Sequence, residues 1–282
     1  MNERPLELPE LGAPVADTHA HLDMLEDPAS ALARAAQAGV TRIVTVVDPT
    51  EEPATTFDSL GSWREQARES ILEDGGDVEP PEVRLILGVH PHNAKDLAAQ
   101  TLDLMRDLLL DARVGGIGEI GLDYHYDHSP RDVQRAAFES QLGLAHERGL
   151  PVVVHLREAH DDGEAVLRSA GVPEAGCLLH CFTGDAPLLV RFLELGCHVS
   201  FAGPVTFKKA DSIREAVAAA PVERVLLETD CPFMAPEPYR GRTNEPALVV
   251  FTARRVAAVL DMTAEELAHR TSDTARRFFG FA

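Results

Sequence analysis

No apolar run in the chain approaches the ~18 residues that cross a bilayer, so no membrane-spanning helix is expected. Cysteine is scarce. Cys177, Cys181, Cys197 and Cys231 include no CxxC pair, which suits neither a disulfide scaffold nor a zinc ribbon. The segment from Met1 to Pro14 carries Glu3, Arg4, Glu7 and Glu10 and has no apolar stretch, so no secretory leader is expected and a reduced, cytoplasmic setting is. Positive charge is also short: 26 Lys+Arg against 46 Asp+Glu leave a net charge of −20 over 282 residues. Such a chain repels phosphate at long range, which excludes a generic nucleic-acid coat. Any polyanion it handles has to meet a local positive site.

What the chain does have is alternation. Short β-branched runs at 15–18, 42–47, 83–89, 114–119, 151–155, 177–180, 198–201 and 224–229 read as strands. Between them, segments such as 28–38, 64–72, 102–110, 131–148, 161–170 and 209–219 have helical period. Eight strands each followed by a helix predict an α/β fold with a parallel sheet. The count and length favour a closed (β/α)8 TIM barrel over a doubly wound open sheet. Two more helices are expected at 245–260 and 263–279, the second capped by Thr263 with Glu265 and Glu266 behind it. The acidic stretch 73–82 reads as a surface loop, and nothing divides the chain, so a single domain over 1–282 is expected.

The chemistry gathers at strand ends. His19 and His21 follow the first strand, His90 and His92 the third, and Glu119 ends the fourth. His155, His180 and Asp230 end the fifth, sixth and eighth. In a parallel barrel these ends meet on one rim, where such folds place their sites. Single histidines there are usually structural, but six of eight strand ends carrying His or an acid is a pattern. His19 and His21 at i and i+2 share a strand face, and His90 and His92 have the same spacing, so spacing alone does not choose the ligand pair. Glu119 and Asp230 follow apolar strands, where a carboxylate is costly unless paired or metal-bound. Imidazole with carboxylate suits divalent ions, and a carboxylate can bridge two.

The run GIGEIG at 116–121 matches GxGxxG, but loop follows it and no helix starts before Pro130, so a dinucleotide site is rejected. There is no P-loop and no GxSxG elbow. Arg240 and Arg242 sit in the Pro-rich stretch after Asp230, beside the rim, and suit phosphate contacts. Cys181 and Cys231 read as small buried residues rather than nucleophiles.

The motifs DTHAHLD, GVHPHNA, GEIGLDYH, PVVVHLREA, LLHCFTGD and LLETDCPFMAPEPYRGRTNEP, in this order from residue 17 to about 246, resemble the TatD-like metal-dependent deoxyribonucleases. The resemblance implies an amidohydrolase-type barrel with two divalent ions (Mg, Mn or Zn). It implies that His19, His21 and Asp230 hold one ion, that His155 and His180 hold the other, and that Glu119 bridges. His90, His92, Asp123, His125, Arg240, Arg242 and Asn244 would then line a substrate and phosphate pocket. Leu156 and Cys231 stand where family members often carry Ser, Ala or Thr and Ala or Ser.

The implied reaction is hydrolysis of DNA phosphodiesters at single-stranded or frayed 3′ ends, with Asp230 and Glu119 catalytic, no membrane partner, and a monomer favoured. A metal-dependent deacylase acting on an ester or amide such as aminoacyl-tRNA would use the same rim, since a barrel does not fix its substrate. A non-enzymatic metal-bound scaffold is the remaining reading, and six intact ligands argue against it.

Overall fold

The computed structural model describes residues 7–282. The first six residues of the expected leader-free segment and of the 1–282 domain lie outside them. Strands β1 (Val15–Ala20), β2 (Val40–Val47), β3 (Glu82–Leu87), β4 (Val114–Asp123), β5 (Val152–Arg157), β6 (Cys177–Leu179), β7 (His198–Phe201) and β8 (Val225–Leu227) pair in chain order, each parallel to the next. The β8–β1 seam is closed as well. Asp230 N donates to His19 O (2.9 Å), His21 N to Cys231 O (2.8 Å), and Thr18 Oγ1 to Leu227 O (3.1 Å). The sheet is therefore a (β/α)8 barrel and not the open alternative.

Helices α1 (Pro28–Gln37), α2 (Ala54–Glu73), α3 (Ala99–Leu108), α4 (Arg131–Arg148), α5 (His160–Ala170), α6 (Ala186–Glu194), α7 (Asp211–Ala219), α8 (Val249–Val259) and α9 (Ala264–Phe279) surround it. Among the described residues no helix is long and apolar enough to cross a membrane. The period-2 geometry of the strands divides their side chains between two cores. Val44, Val46, Ile86, Val153, Leu178 and Leu226 point inward, and Phe278, Phe279 and Phe281 at the end of α9 close that interior cluster. Ile43, Leu85, Val152, Val154, Leu179 and Leu227 point outward under the helices. With one end of the barrel filled by apolar rings, polar groups collect at the other.

Most boundaries differ from the sequence reading by a few residues, and four differences bear on packing or the site. α2 begins at Ala54 rather than 64, because buried Phe57 and Leu60 outweigh the weak helical propensities of Thr55, Thr56 and Gly61. α8 begins at Val249 rather than 245, after a 3-10 turn over Pro246–Leu248. β8 stops at Leu227, and Glu228 to Asp230 bond irregularly across the seam. β4 does not end at Glu119 but runs on to Asp123.

That last difference positions the site. Ile117 pairs with Val152 and Ile120 with Val154, so β4 carries one residue more than β5 at Gly118–Glu119. β1 does the same: Asp17 pairs with Ile43 and Ala20 with Thr45. Each extra residue is a bulge, a device that re-aims side chains. One turns His19 and the other Glu119 toward the barrel mouth. Gly121 then lies so close to β5 that a Cβ would come within 2.1 Å of His155 O, at a φ of 139°.

Candidate metal centre

Glu119 is the hub of the mouth, and its two oxygens face different groups. Oε2 lies 3.1 Å from His19 Nε2 and 3.8 Å from His21 Nε2. Oε1 lies 2.7 Å from His155 Nδ1, 2.8 Å from His180 Nε2 and 3.4 Å from His90 Nε2. Asp230 Oδ1 completes the first group at 3.5 Å from His21 Nε2 and 3.9 Å from His19 Nε2. Bonds of ~2.0–2.2 Å to one ion leave ligand atoms at most ~4.4 Å apart, and these spacings fall inside that limit. The sets His19–His21–Asp230, His19–Glu119–His180 and His90–Glu119–His155 each bring their ligand atoms within 4.8 Å of one another.

Proton placement shows that these donors fit a cation. His155 Nε2 is 3.1 Å from Asp123 Oδ2, and the bonding network assigns the ring proton there. His180 Nδ1 stands 3.3 Å from Glu228 Oε1, and both atoms are buried with no other partner. With those protons facing outward, His155 Nδ1, His180 Nε2 and Glu119 Oε1 turn lone pairs on one another at 2.7–3.2 Å. Three acceptors at that spacing repel unless positive charge sits among them. Carboxylates behind imidazoles fix ring orientation and raise basicity in the same way at known metal sites.

The electrostatics agree. Burial opposes charge on Glu119, yet His180, His90 and His19 hold its carboxyl well below its ordinary range. Burial likewise opposes charge on His180, but Glu119 and Glu228 raise it well above the usual imidazole value. Asp123 is lowered too, because the bonds from His155, His92 and the Tyr126 amide outweigh its burial. A field that favours a proton on these nitrogens favours a dication in its place.

The structure brings all six expected ligands together, and His90 joins them at Glu119. His92 Nε2 bonds Asp123 Oδ2 at 3.1 Å. Asp123, expected in the substrate pocket, is fully buried, and its other oxygen accepts from the His125 and Tyr126 amides. His125 is exposed and paired with Glu158 at 2.7 Å. Asn244, also expected to line the pocket, is buried and donates to Thr229 O (2.8 Å) and Phe233 O (2.6 Å), so its amide braces the loop after β8. Arg240 lies over the Phe207 ring (4.2 Å) and Arg242 over Tyr239 (5.3 Å). Leu156 packs toward Gly163 of α5, and Cys231 is buried with burial raising its thiol pKa.

Sequence reading missed three supports. Glu228 sits behind His180 and accepts from Ser200 Oγ at 2.5 Å. Asp17 accepts from Thr229 N (2.8 Å) and Oγ1 (2.6 Å), tying β1 to the turn that carries Asp230. Arg157 ends β5 over the Tyr126 ring (4.7 Å). For the two acids the available signal was a carboxylate within two residues of each expected ligand, in apolar surroundings.

A family model described as TatD related DNase matches residues 16–280. YabD of Bacillus subtilis, an uncharacterized metal-dependent hydrolase, is 38% identical over 266 residues, covering 93% of this chain and 98% of its own. A 3'-5' ssDNA/RNA exonuclease TatD of Pantoea vagans is 38% identical over 200 residues, covering 69% of this chain and 77% of its own. The crystal structure of YJJV, a TatD homolog from Escherichia coli, superposes with a TM-score of 0.83 at 28% identity, over 94% of this chain and 98% of that one.

Proposed function

Since the chain belongs to the TatD-related DNase family, and so to the hydrolases, we propose that it is a two-metal deoxyribonuclease removing nucleotides from single-stranded or frayed 3′ ends. The observation that carries this reading is Glu119, whose two oxygens face two separate histidine groups. His19, His21 and Asp230 would hold one divalent ion (Mg, Mn or Zn), and His155 and His180 the other, with His90 in reach and Glu119 between. When bound, such ions supply Lewis-acid polarisation of a phosphoryl oxygen and a more acidic attacking water.

The side chains do the rest. Asp230 is nearly buried and held ionised chiefly by its bond from His21 against the opposing effect of burial; it orients the attacking water and accepts its proton. His92, its Nε2 held 3.1 Å from Asp123 Oδ2, lines the same mouth and would shape the place of the phosphoryl group. His125, Arg240 and Arg242 serve the flanking phosphates, and Asn244 keeps the loop that bears the two arginines in place.

Purified protein should shorten a single-stranded DNA oligonucleotide with Mg, Mn or Zn and leave an acylated substrate intact. Glu119→Ala should abolish the shortening while keeping the parent's circular dichroism spectrum. Undiminished nuclease activity in that variant, after contaminant controls, overturns the proposal. Hydrolysis of the acylated substrate alone moves the assignment to a deacylase.

A further inference from the structure

Among the described residues, four of the nine large apolar side chains left in solvent lie on the histidine-bearing rim: Met24 after β1, Tyr126 after β4, and Phe233 and Met234 after β8. Two of them are rings about half exposed, Tyr126 at 51% and Phe233 at 46%. Both hang from the centre by their backbones. Phe233 N donates to Asp230 O (2.9 Å) and Phe233 O accepts from Asn244 (2.6 Å), while its ring meets His21 edge to face at 5.8 Å. Tyr126 N donates to Asp123 Oδ1 (2.9 Å), its ring meets His92 edge to face at 5.4 Å, and His128 stacks on it at 5.5 Å with the planes 2° apart. One ring therefore stands on the His21–Asp230 side of Glu119 and the other on the His92–Asp123–His155 side. The guanidinium of Arg157 lies over Tyr126 at 4.7 Å. It forms no ion pair among the described residues, although the chain carries 46 acids.

We propose, resting on the nuclease reading, that Phe233 and the Tyr126–His128 stack are platforms for the unpaired bases on either side of the scissile phosphate, the base on the second extending a stack that Tyr126 anchors and Arg157 flanks. Every nucleobase has a π face, so stacking on an aromatic ring holds a strand without reading its sequence. Bases inside a duplex already stack on their neighbours and offer no free face. Two rings fixed beside the centre thus select single strands. They do so without the extended basic groove that a chain of net charge −20 lacks. With the backbone of each ring already fixed, only side-chain torsions remain to be ordered on binding.

The test compares kcat/KM for a single-stranded oligonucleotide with that for the same strand carrying a base-free tetrahydrofuran residue at the terminal or the penultimate position. The proteins are the parent, Phe233→Leu, Tyr126→Leu, Phe233→Tyr and Tyr126→Phe. In the parent, removing a stacked base should lower kcat/KM roughly 5- to 150-fold, the usual contribution of one base–aromatic stack, and chiefly through KM. Each leucine variant should bring the ratio of intact to base-free substrate near one at its own position. The aromatic replacements should keep the parent's ratio. A parent indifferent to the missing base, or leucine variants that keep its preference, overturns the platforms and leaves the nuclease reading standing. A change of oligomeric state in the leucine variants, with the base preference intact, assigns the rim to a protein interface and overturns the proposal as well. A parent that cleaves no strand at all removes both.

Discussion

With Nδ1 of His180 3.3 Å from Glu228, a fully buried acid, only Nε2 remains to face Glu119. Glu228→Gln keeps the volume and removes the charge behind that ring. Metal affinity should fall about 10- to 100-fold, the usual effect of losing such a support, which metal titration of chelated protein measures. Asp123→Asn should act similarly on His155, since the amide retains a single acceptor oxygen where the carboxylate serves His155, His92 and two backbone amides. The six residues proposed as ligands stood out in the sequence as His or acids at the ends of apolar runs, but spacing left His19–His21 and His90–His92 equal, and the family resemblance made the choice. Asp123 was not legible as a support because the bulge at Gly118–Glu119 shifts the face alternation of β4, and Glu228 was not because β8 ends at Leu227 and the chain beyond it bonds irregularly. The family resemblance put Asn244 among the substrate contacts, and only the folded chain shows its amide bonded to Thr229 O and Phe233 O.

At the scale of elements, β4 and β5 must approach closely for Glu119 and His155 to meet. Gly121→Ala puts a Cβ on the His155 carbonyl at a φ that favours glycine. It should lower the thermal midpoint sharply or prevent soluble expression, as read by differential scanning fluorimetry. α9, whose end fills the barrel floor, starts at Thr263, and Oγ1 accepts from Glu266 N at 3.1 Å as its sequence position predicts. Thr263→Ala should cost about 1 kcal/mol, measured by urea denaturation. At the start of β7, burial, with Arg224 and Arg277 adding to it, pushes the His198 imidazole down to about 4. The unfolded chain protonates that ring first as pH falls below ~6.5, so His198 makes stability decline between there and about 4. His198→Gln should flatten the fall of the denaturation midpoint across that window. The barrel itself was legible from the β/α alternation. Helix starts such as Ala54 were less so, because packing rather than propensity sets them.

For the whole molecule, the net charge of −20 rules out long-range capture of nucleic acid but not local chemistry. In the proposed centre, two dications balance the four carboxylates Glu119, Asp230, Asp123 and Glu228, so the metallated mouth loses the negative charge that the empty one presents to a phosphate. Salt screens the remote acids over about 8–10 Å and reaches the buried centre less. Oligonucleotide binding should therefore depend on metal, be weak for duplex, and vanish on chelation. The most direct measurement is stepwise reconstitution of chelated protein with Mn, following bound metal by mass spectrometry and cleavage of a single-stranded oligonucleotide in the same samples. Cleavage should be absent without metal, saturate at two ions per chain in the parent and stay absent in Glu119→Ala. Full activity in metal-free protein, or saturation at one ion, would contradict the two-metal centre.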